Sequence, residues 1–329
     1  MDQADGFGAC FVTGGAGFIG SHLTERLLAA GNTVTVYDNL SAGRREWLQP
    51  LLDGQRLSFV EGDLRDADAL AGAMAGHDIV FHLGANTDIP RGNQDTHLDL
   101  ENGIIATHNV LEAMRQQGVR RLVFASSSTV AGEPALRPTP ETTGPALPIS
   151  LYGAGKLACE GLISAYCHLF GIQAWVFRFA NVIGARMSHG VLHDFVAKLR
   201  RNPAELEVLG DGRQEKNYLV VEDCIEGILH AVRHSDGKPC DVFNLGCDST
   251  ITASEIARVT IEQMGLQDVS VRYTGGSRGW PGDVPIVISD VSKMKALGWQ
   301  TRYSSAEAVR VALGRILGKE HPVGAAERP

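Results

Sequence analysis

Tyr152-Gly-Ala-Gly-Lys156 sets a phenol and an ammonium four residues apart. The surrounding pattern is helical to about Phe170, so both side chains fall on one face and can address one site. A phenol there can serve as acid or base, but a free tyrosine titrates near 10 and keeps its proton at neutral pH. A neighbouring ammonium and a second positive charge together favour the phenolate; lowering the pKa by about 3 units asks for roughly 4 kcal/mol of differential interaction. Upstream, Leu122-Val-Phe-Ala-Ser-Ser-Ser-Thr129 ends an apolar run in hydroxyls. A serine at such a strand end can hydrogen-bond the substrate oxygen that exchanges a proton with Tyr152. Because Y-x-x-x-K is common by chance, its meaning depends on what else the chain carries.

Residues 12–20 read Val-Thr-Gly-Gly-Ala-Gly-Phe-Ile-Gly. Gly14, Gly15, Gly17 and Gly20 satisfy both G-x-x-G-x-x-G and G-x-G-x-x-G. Such glycines permit a tight turn, close approach to a pyrophosphate and helix–strand packing. The helical pattern over 18–30 turns its N-terminal N–H groups toward the phosphates. A second strand over 33–37 leads into Asp38 and Asn39. An acid at that place accepts hydrogen bonds from an adenosine ribose and repels a 2′-phosphate, so Asp38 favours NAD over NADP. The positive nicotinamide of that cofactor is the second charge that, with the ammonium, favours the Tyr152 phenolate.

The elements that must position these groups follow a regular rhythm. Short apolar runs at 9–13, 33–37, 57–60, 79–83, 122–125 and 174–177 alternate with helical patterns. This predicts an α/β fold, a doubly wound parallel sheet of Rossmann type. After about residue 178 the rhythm loosens. Residues 200–203 and 209–212 read as turns, helices are expected over 221–233 and 252–264, and the tail after Gly318 as frayed. The predicted division is 1–178 for NAD, with about 215–246 returning to that domain. Residues 179–329 then form mainly a smaller α/β substrate-binding lobe.

The net charge is −8 and there is no long basic run, which argues against nucleic acid. No apolar run reaches membrane length, and the chain reads as a soluble cytoplasmic protein. The six cysteines form no C-x-x-C pair and read as reduced thiols; His and Cys never cluster at ligand spacing, so no metal is expected.

From 11 to about 312 the chain resembles an extended short-chain dehydrogenase/reductase of the nucleotide-sugar epimerase/dehydratase family. The resemblance rests on the glycine loop, Asp38-Asn-Leu-Ser-Ala-Gly43, Gly62-Asp63-Leu64-Arg65, Phe81-His-Leu-Gly-Ala85, Ser126-Ser-Ser128, Tyr152/Lys156 and Arg178-Phe-Ala-Asn-Val-Ile-Gly184. Leu209-Gly-Asp-Gly212, Gly279-Trp-Pro-Gly-Asp283 and Leu297-Gly-Trp299 are similar to the UDP-galactose 4-epimerase-like branch.

The resemblance implies roles. Ser127, Tyr152 and Lys156 would be catalytic, and Lys156 would also grip the nicotinamide ribose. Gly14, Gly17, Phe18, Ile19, Gly20, Asp38, Asn39 and Gly43 would hold NAD tightly. Asp63 and Leu64 would hold the adenine. Leu83, Gly84 and Ala85 would line the cleft, with Asn102 beneath it. Asn181 and Val191 would contact the sugar nucleotide, Leu209 would pack on the uracil, and Lys216 and Arg278 would meet the diphosphate. Asp283 would bind the nucleotide ribose, with Tyr218 nearby. A homodimer through helices near 96–117 and 153–170 is also implied.

Dehydratases and decarboxylases of this family carry an acid two residues beyond the catalytic Ser/Thr. Thr129 stands there and cannot act as a carboxyl acid/base, which favours 4-epimerisation of a UDP-hexose. Val287 is linked by position to acceptance of N-acetyl sugars. For a uronate, Arg186 is the available cation, since Ser188 stands where a clamp arginine occurs in some relatives. Ala131, Gly155 and Glu215 depart from the family pattern, leaving the sugar open. A dehydratase or decarboxylase and a non-catalytic NAD sensor are the other readings.

Overall fold

The computed structural model describes residues 6–52 and 54–319. Its centre is a seven-stranded sheet of β1 (Ala9–Thr13), β2 (Thr33–Asp38), β3 (Leu57–Glu61), β4 (Ile79–His82), β5 (Arg121–Ser127), β6 (Gln173–Phe179) and a later strand, Cys240–Leu245. The order is Cys240–Leu245, β6, β5, β4, β1, β2, β3. Every neighbouring pair is parallel. The strand order reverses between β1 and β4, and that reversal opens a crevice at the carboxyl edge.

Alternation along β1 explains the two-faced core. Cys10 and Val12 join one apolar cluster with Leu23, Leu27, Phe81 and Phe177. Phe11, between them, joins the cluster on the other face with Leu70, Val80, Phe124 and Ile163. A two-residue repeat with both faces covered puts apolar residues at successive positions, as 10–12 of β1 and 79–81 of β4 show before the buried, mutually hydrogen-bonded Thr13 and His82 end the strands. Helix α1 (Phe18–Ala29) covers the first face together with the helix Val221–His234.

The second lobe has its own core around Phe195, Val220, Ile256 and Leu313. Its helices are Val191–Arg201, Ala253–Met264 and Ser305–Ile316. The last two open with full capping boxes, Thr252/Glu255 and Ser304/Glu307, which satisfy backbone N–H groups at each start. A small sheet places Glu215–Lys216 between Ile251–Thr252 and Ile286–Val287.

Two expectations need correction. Arg200 and Arg201 are not in a turn but finish the helix Val191–Arg201, whose last turn gains from cations. The segment 96–117 is not one α-helix: Thr96–Asp99 and Ala106–Gln117 are joined by a π-helical Leu100–Ile105. The tail beyond Lys319 lies outside the described residues. Among the described residues no helix is long and apolar enough to cross a membrane, and no group of three His, Cys, Asp or Glu side chains could hold a metal ion.

Candidate active site

The crevice is made of touching backbones. Gly14, at the end of β1, has φ +67°, and a Cβ there would lie 2.7 Å from the Gly84 nitrogen beyond β4. A Cβ on Gly20 would lie 2.1 Å from the Gly14 carbonyl, so α1 meets the loop only through a glycine. The α1 N-terminus has no side-chain cap and no acid in its first turn, which suits an anion. Asp38, 8% exposed, accepts from the Ala16 N–H at 2.9 Å and the Leu40 N–H at 2.8 Å. Each oxygen keeps a further lone pair for a ribose hydroxyl. Burial raises the Asp38 pKa, against these two hydrogen bonds.

The loop end of β3 completes the cleft. Asp63 is held by Arg65 at 2.8 Å and by Asn39 at 3.2 Å, and the arginine keeps its carboxyl well below the usual range. Leu64 packs toward Gly84, where a Cβ would meet its Cδ1 at 2.7 Å. Leu83 and Gly84 hydrogen-bond to the Thr13 carbonyl and hydroxyl at 3.1 and 3.2 Å. Gly43 approaches Ala16, where an added Cβ would lie 2.9 Å from its carbonyl carbon. Asn102 spends its amide on the Leu98 carbonyl at 2.9 Å, inside its own helical run.

Tyr152 and Lys156 lie in the first two turns of the helix Leu151–Phe170, which Ser150 caps by accepting from the Gly153 N–H at 3.1 Å. Ser127 ends β5. Its Oγ accepts from the Thr129 hydroxyl at 2.9 Å and the Thr129 N–H at 3.2 Å, so Thr129 serves Ser127 as a donor. The Tyr152 pKa is pushed up to about 12, first by burial; a hydrogen bond with Ser127 pulls it down, and Asp99 and Cys159 raise it again.

Within the protein alone, burial outweighs the groups that would favour the phenolate. Lys156 donates to the Ala125 carbonyl at 2.6 Å, and its Nζ sits 4.8 Å from the Phe124 ring centre and 5.8 Å from that of Tyr152. Burial lowers the Lys156 pKa, while nearby Cys159, Asp99 and Glu160 raise it. The protein's own groups therefore leave Tyr152 short of positive charge, and a cation entering the cleft, such as oxidised nicotinamide, fits that shortage.

On the substrate side, Lys216 pairs with Asp283 at 2.5 Å. Arg278 donates to the Asp283 carbonyl and pairs with Glu133 at 2.8 Å. The Gly279 N–H donates to the Asp283 carboxylate at 3.1 Å. The three expected residues thus meet in one cluster, but both cations are engaged with acids. Asn181 donates to the Asn217 carbonyl at 3.0 Å. Tyr218 belongs to the lobe's core and is 7% exposed; burial, with Asp283, raises its phenol. Leu209 is 40% exposed, and Val191 opens its helix at the edge of that core. A separate cavity of about 630 Å³, lined by Arg186, Met187, His193, Arg200, Arg201 and Arg315 among others, includes none of the catalytic or cofactor residues.

Sequence reading missed two acids. Glu160 accepts from Ser126 at 2.5 Å and pairs with Arg178 at 2.7 Å, tying β5, β6 and the Tyr152 helix together behind Ser127. Its signal was available: residues 152, 156 and 160 repeat every four positions on one helix face. Asp99 had no such signal, because it reaches the pair from another helix.

Fold, crevice and Ser/Tyr/Lys group define a dinucleotide-dependent enzyme of the short-chain dehydrogenase/reductase type. The chain belongs to the NAD dependent epimerase/dehydratase family, whose sequence profile matches residues 10–246, and its cofactor is NAD. It is similar to a UDP-glucose 4-epimerase of Mycolicibacterium smegmatis, with 32% identity over 306 residues, 91% of this chain and 95% of the relative. A crystal structure of a UDP-galactose 4-epimerase shares 39% identity with a TM-score of 0.85, covering 94% of this chain and 99% of that one. The dTDP-glucose 4,6-dehydratase DesIV of Streptomyces venezuelae, solved with NAD, shares 27% identity with a TM-score of 0.86, covering 94% and 96%.

Proposed function

We propose that this chain is a UDP-hexose 4-epimerase acting on UDP-glucose and UDP-galactose, with UDP-N-acetylhexosamines as further substrates. One observation carries the reading: Ser127 and Tyr152 meet at the carboxyl edge beside the crevice, and Thr129 presents a hydroxyl where elimination would need an acid. The family resemblance to both epimerases and a dehydratase makes that position decisive.

NAD, which the glycine loop at Gly14–Gly20 and Asp38 would hold, would supply the acceptor and donor for the hydride of sugar carbon 4. Tyr152 accepts the proton of the 4-hydroxyl as the carbon is oxidised and gives it back as the carbon is reduced. Ser127, fixed by Thr129, steadies the 4-oxygen through both steps. The 4-keto sugar turns its other face to the site between them, which inverts the alcohol. No oxidant is consumed. Holding the reacting groups in place in a buried site supplies much of the acceleration.

A uronate reading is less well supported, because Arg186 is engaged with Glu25 at 2.5 Å and Ser21 at 3.2 Å on α1. The reading includes a homodimer: Ile105, Leu169 and Phe170 are exposed on the two expected helical segments. The test is product NMR after incubation with UDP-glucose, UDP-GlcNAc and UDP-glucuronate. Inversion at carbon 4 without net NADH is expected for the first two. Loss of water or carbon dioxide would overturn the reading.

A further inference from the structure

Asp99 ends the short helix Thr96–Asp99 and is 5% exposed. Its Oδ1 accepts a hydrogen bond from Asn86, just beyond β4, at 2.9 Å. Its Oδ2 has no hydrogen-bond partner. That oxygen lies against Gly92 of the helix Ile89–Gln94, where a Cβ would come within 2.3 Å of it. On the other side, a Cβ on Gly155 would sit 3.5 Å from the Asp99 carbonyl and 3.9 Å from its Cβ. Gly92 therefore leaves room for this carboxylate, and Asp99 packs at ordinary contact distance on the turn that carries Tyr152 and Lys156.

A buried carboxylate oxygen with no donor is costly unless a charge compensates it. Burial raises the Asp99 pKa; the Asn86 hydrogen bond and the Lys156 charge oppose this, and Asp99 in turn favours the Lys156 ammonium. The ammonium's hydrogen bond goes to a neutral carbonyl. Glu160, one turn further along, is engaged with Arg178 and Ser126. The titratable groups in this field are Lys156, Tyr152, Cys159 and Glu160 on the helix Leu151–Phe170 and His82 on β4, whose imidazole burial and then Lys156 keep below its ordinary pKa; Asn86 and Gly92 bring no charge.

We propose that Asp99 is a positioning residue of the catalytic pair, a buried counter-charge that keeps Lys156 an ammonium and holds the proton on Tyr152 until a further positive charge enters the site. The consequence is a base whose activation is tied to a cationic cleft. Without the carboxylate, Tyr152 would lose its proton more readily whatever the cleft held.

The proposal rests on Tyr152 being the proton-transfer group, and its first test needs no substrate. Tyr152 is titrated in the NAD-loaded protein as the tyrosinate absorbance lost on Tyr152→Phe, with and without Asp99→Asn. Removing one negative charge lowers the pKa of both neighbours. The Tyr152 midpoint falls by about one unit, a tenfold change in its proton equilibrium. Both limbs of the kcat–pH profile with UDP-glucose move to lower pH. Asp99→Ser removes the same charge with a smaller side chain and shifts the midpoint the same way; it decides the matter if Asp99→Asn does not fold. An unmoved Tyr152 midpoint in a folded, NAD-retaining variant overturns the proposal. A moved midpoint with no turnover of any UDP-sugar supports it and instead sinks the proposed substrate.

Discussion

The cofactor crevice and the substrate rim are built from different materials. Around Gly14, Gly20 and Gly84 the working surface is backbone, and its shape depends on side chains being absent. Around Lys216, Arg278 and Asp283 it consists of side chains already engaged with one another across long stretches of sequence. The first surface is fixed by the fold before anything binds. In the second, under the proposed function, a diphosphate would compete with Asp283 and Glu133 for the same cations. A fixed crevice suits a cofactor that stays, and an exchangeable rim suits a substrate that leaves.

The largest effect belongs to the group between the two regions. Tyr152→Phe removes the proton acceptor and is expected to lower kcat by about 10²–10⁴-fold, the range for a positioned acid/base. NAD content should stay at the wild-type level. A loss below tenfold would remove Tyr152 from the chemistry and leave the two regions without a shared centre.

Gly20→Ala comes next and tests the backbone surface. Its Cβ meets the Gly14 carbonyl at 2.1 Å, and no flexible side chain is there to yield. Overpacking of this kind costs about 1–3 kcal/mol, and the loop must open to relieve it. The purified variant should carry little NAD and unfold at lower temperature. Full NAD content with an unchanged melt would mean that the crevice is as adaptable as the rim.

Glu133→Gln tests the rim with a smaller expected effect. The Glu133–Arg278 pair is about 40% exposed on each side, so breaking it costs little stability, within the 0–1 kcal/mol of surface pairs. Freed from its acid, Arg278 should lower the KM for UDP-glucose by about threefold at low salt, with the gain fading as salt screens it. A raised KM would show that Glu133 orients Arg278 and does not compete for it.

The same contrast explains how much could be read from sequence. The β1–loop–α1 unit was legible because a tight turn and a close backbone approach leave glycines at fixed spacing, and Asp38 follows at the end of the next strand. Tyr152 and Lys156 were legible because helix periodicity places them on one face. Asp99 was not, since its place against their helix comes with a helix break at the π-helical Leu100–Ile105 and with the absent side chain of Gly92. The engagement of Lys216 with Asp283 joins residues 67 apart, and local pattern carries no trace of it. For Tyr152, spacing shows that a lysine is near, while burial, which raises the phenol, depends on the whole fold.

Val287 offers the finest test of the rim. Ile286–Val287 runs parallel to Glu215–Lys216, with Val287 in register with Lys216, so it stands beside the cation paired to Asp283. It also lines a small cavity of about 20 Å³ with Ser128 and Ala131, one residue beyond Ser127 and four beyond it. A tyrosine at 287 is far too large for that cavity and would crowd the space beside Ser128 and Ala131. If that space receives the 2-substituent of the sugar, Val287→Tyr should cut kcat/KM for UDP-GlcNAc by about tenfold, while UDP-glucose changes less than about twofold; a steric difference of this size is worth about 1–3 kcal/mol. Kinetics with both substrates on one preparation give the ratio directly. Equal losses for the two sugars would place Val287 in the packing of the rim and leave sugar size to be read elsewhere.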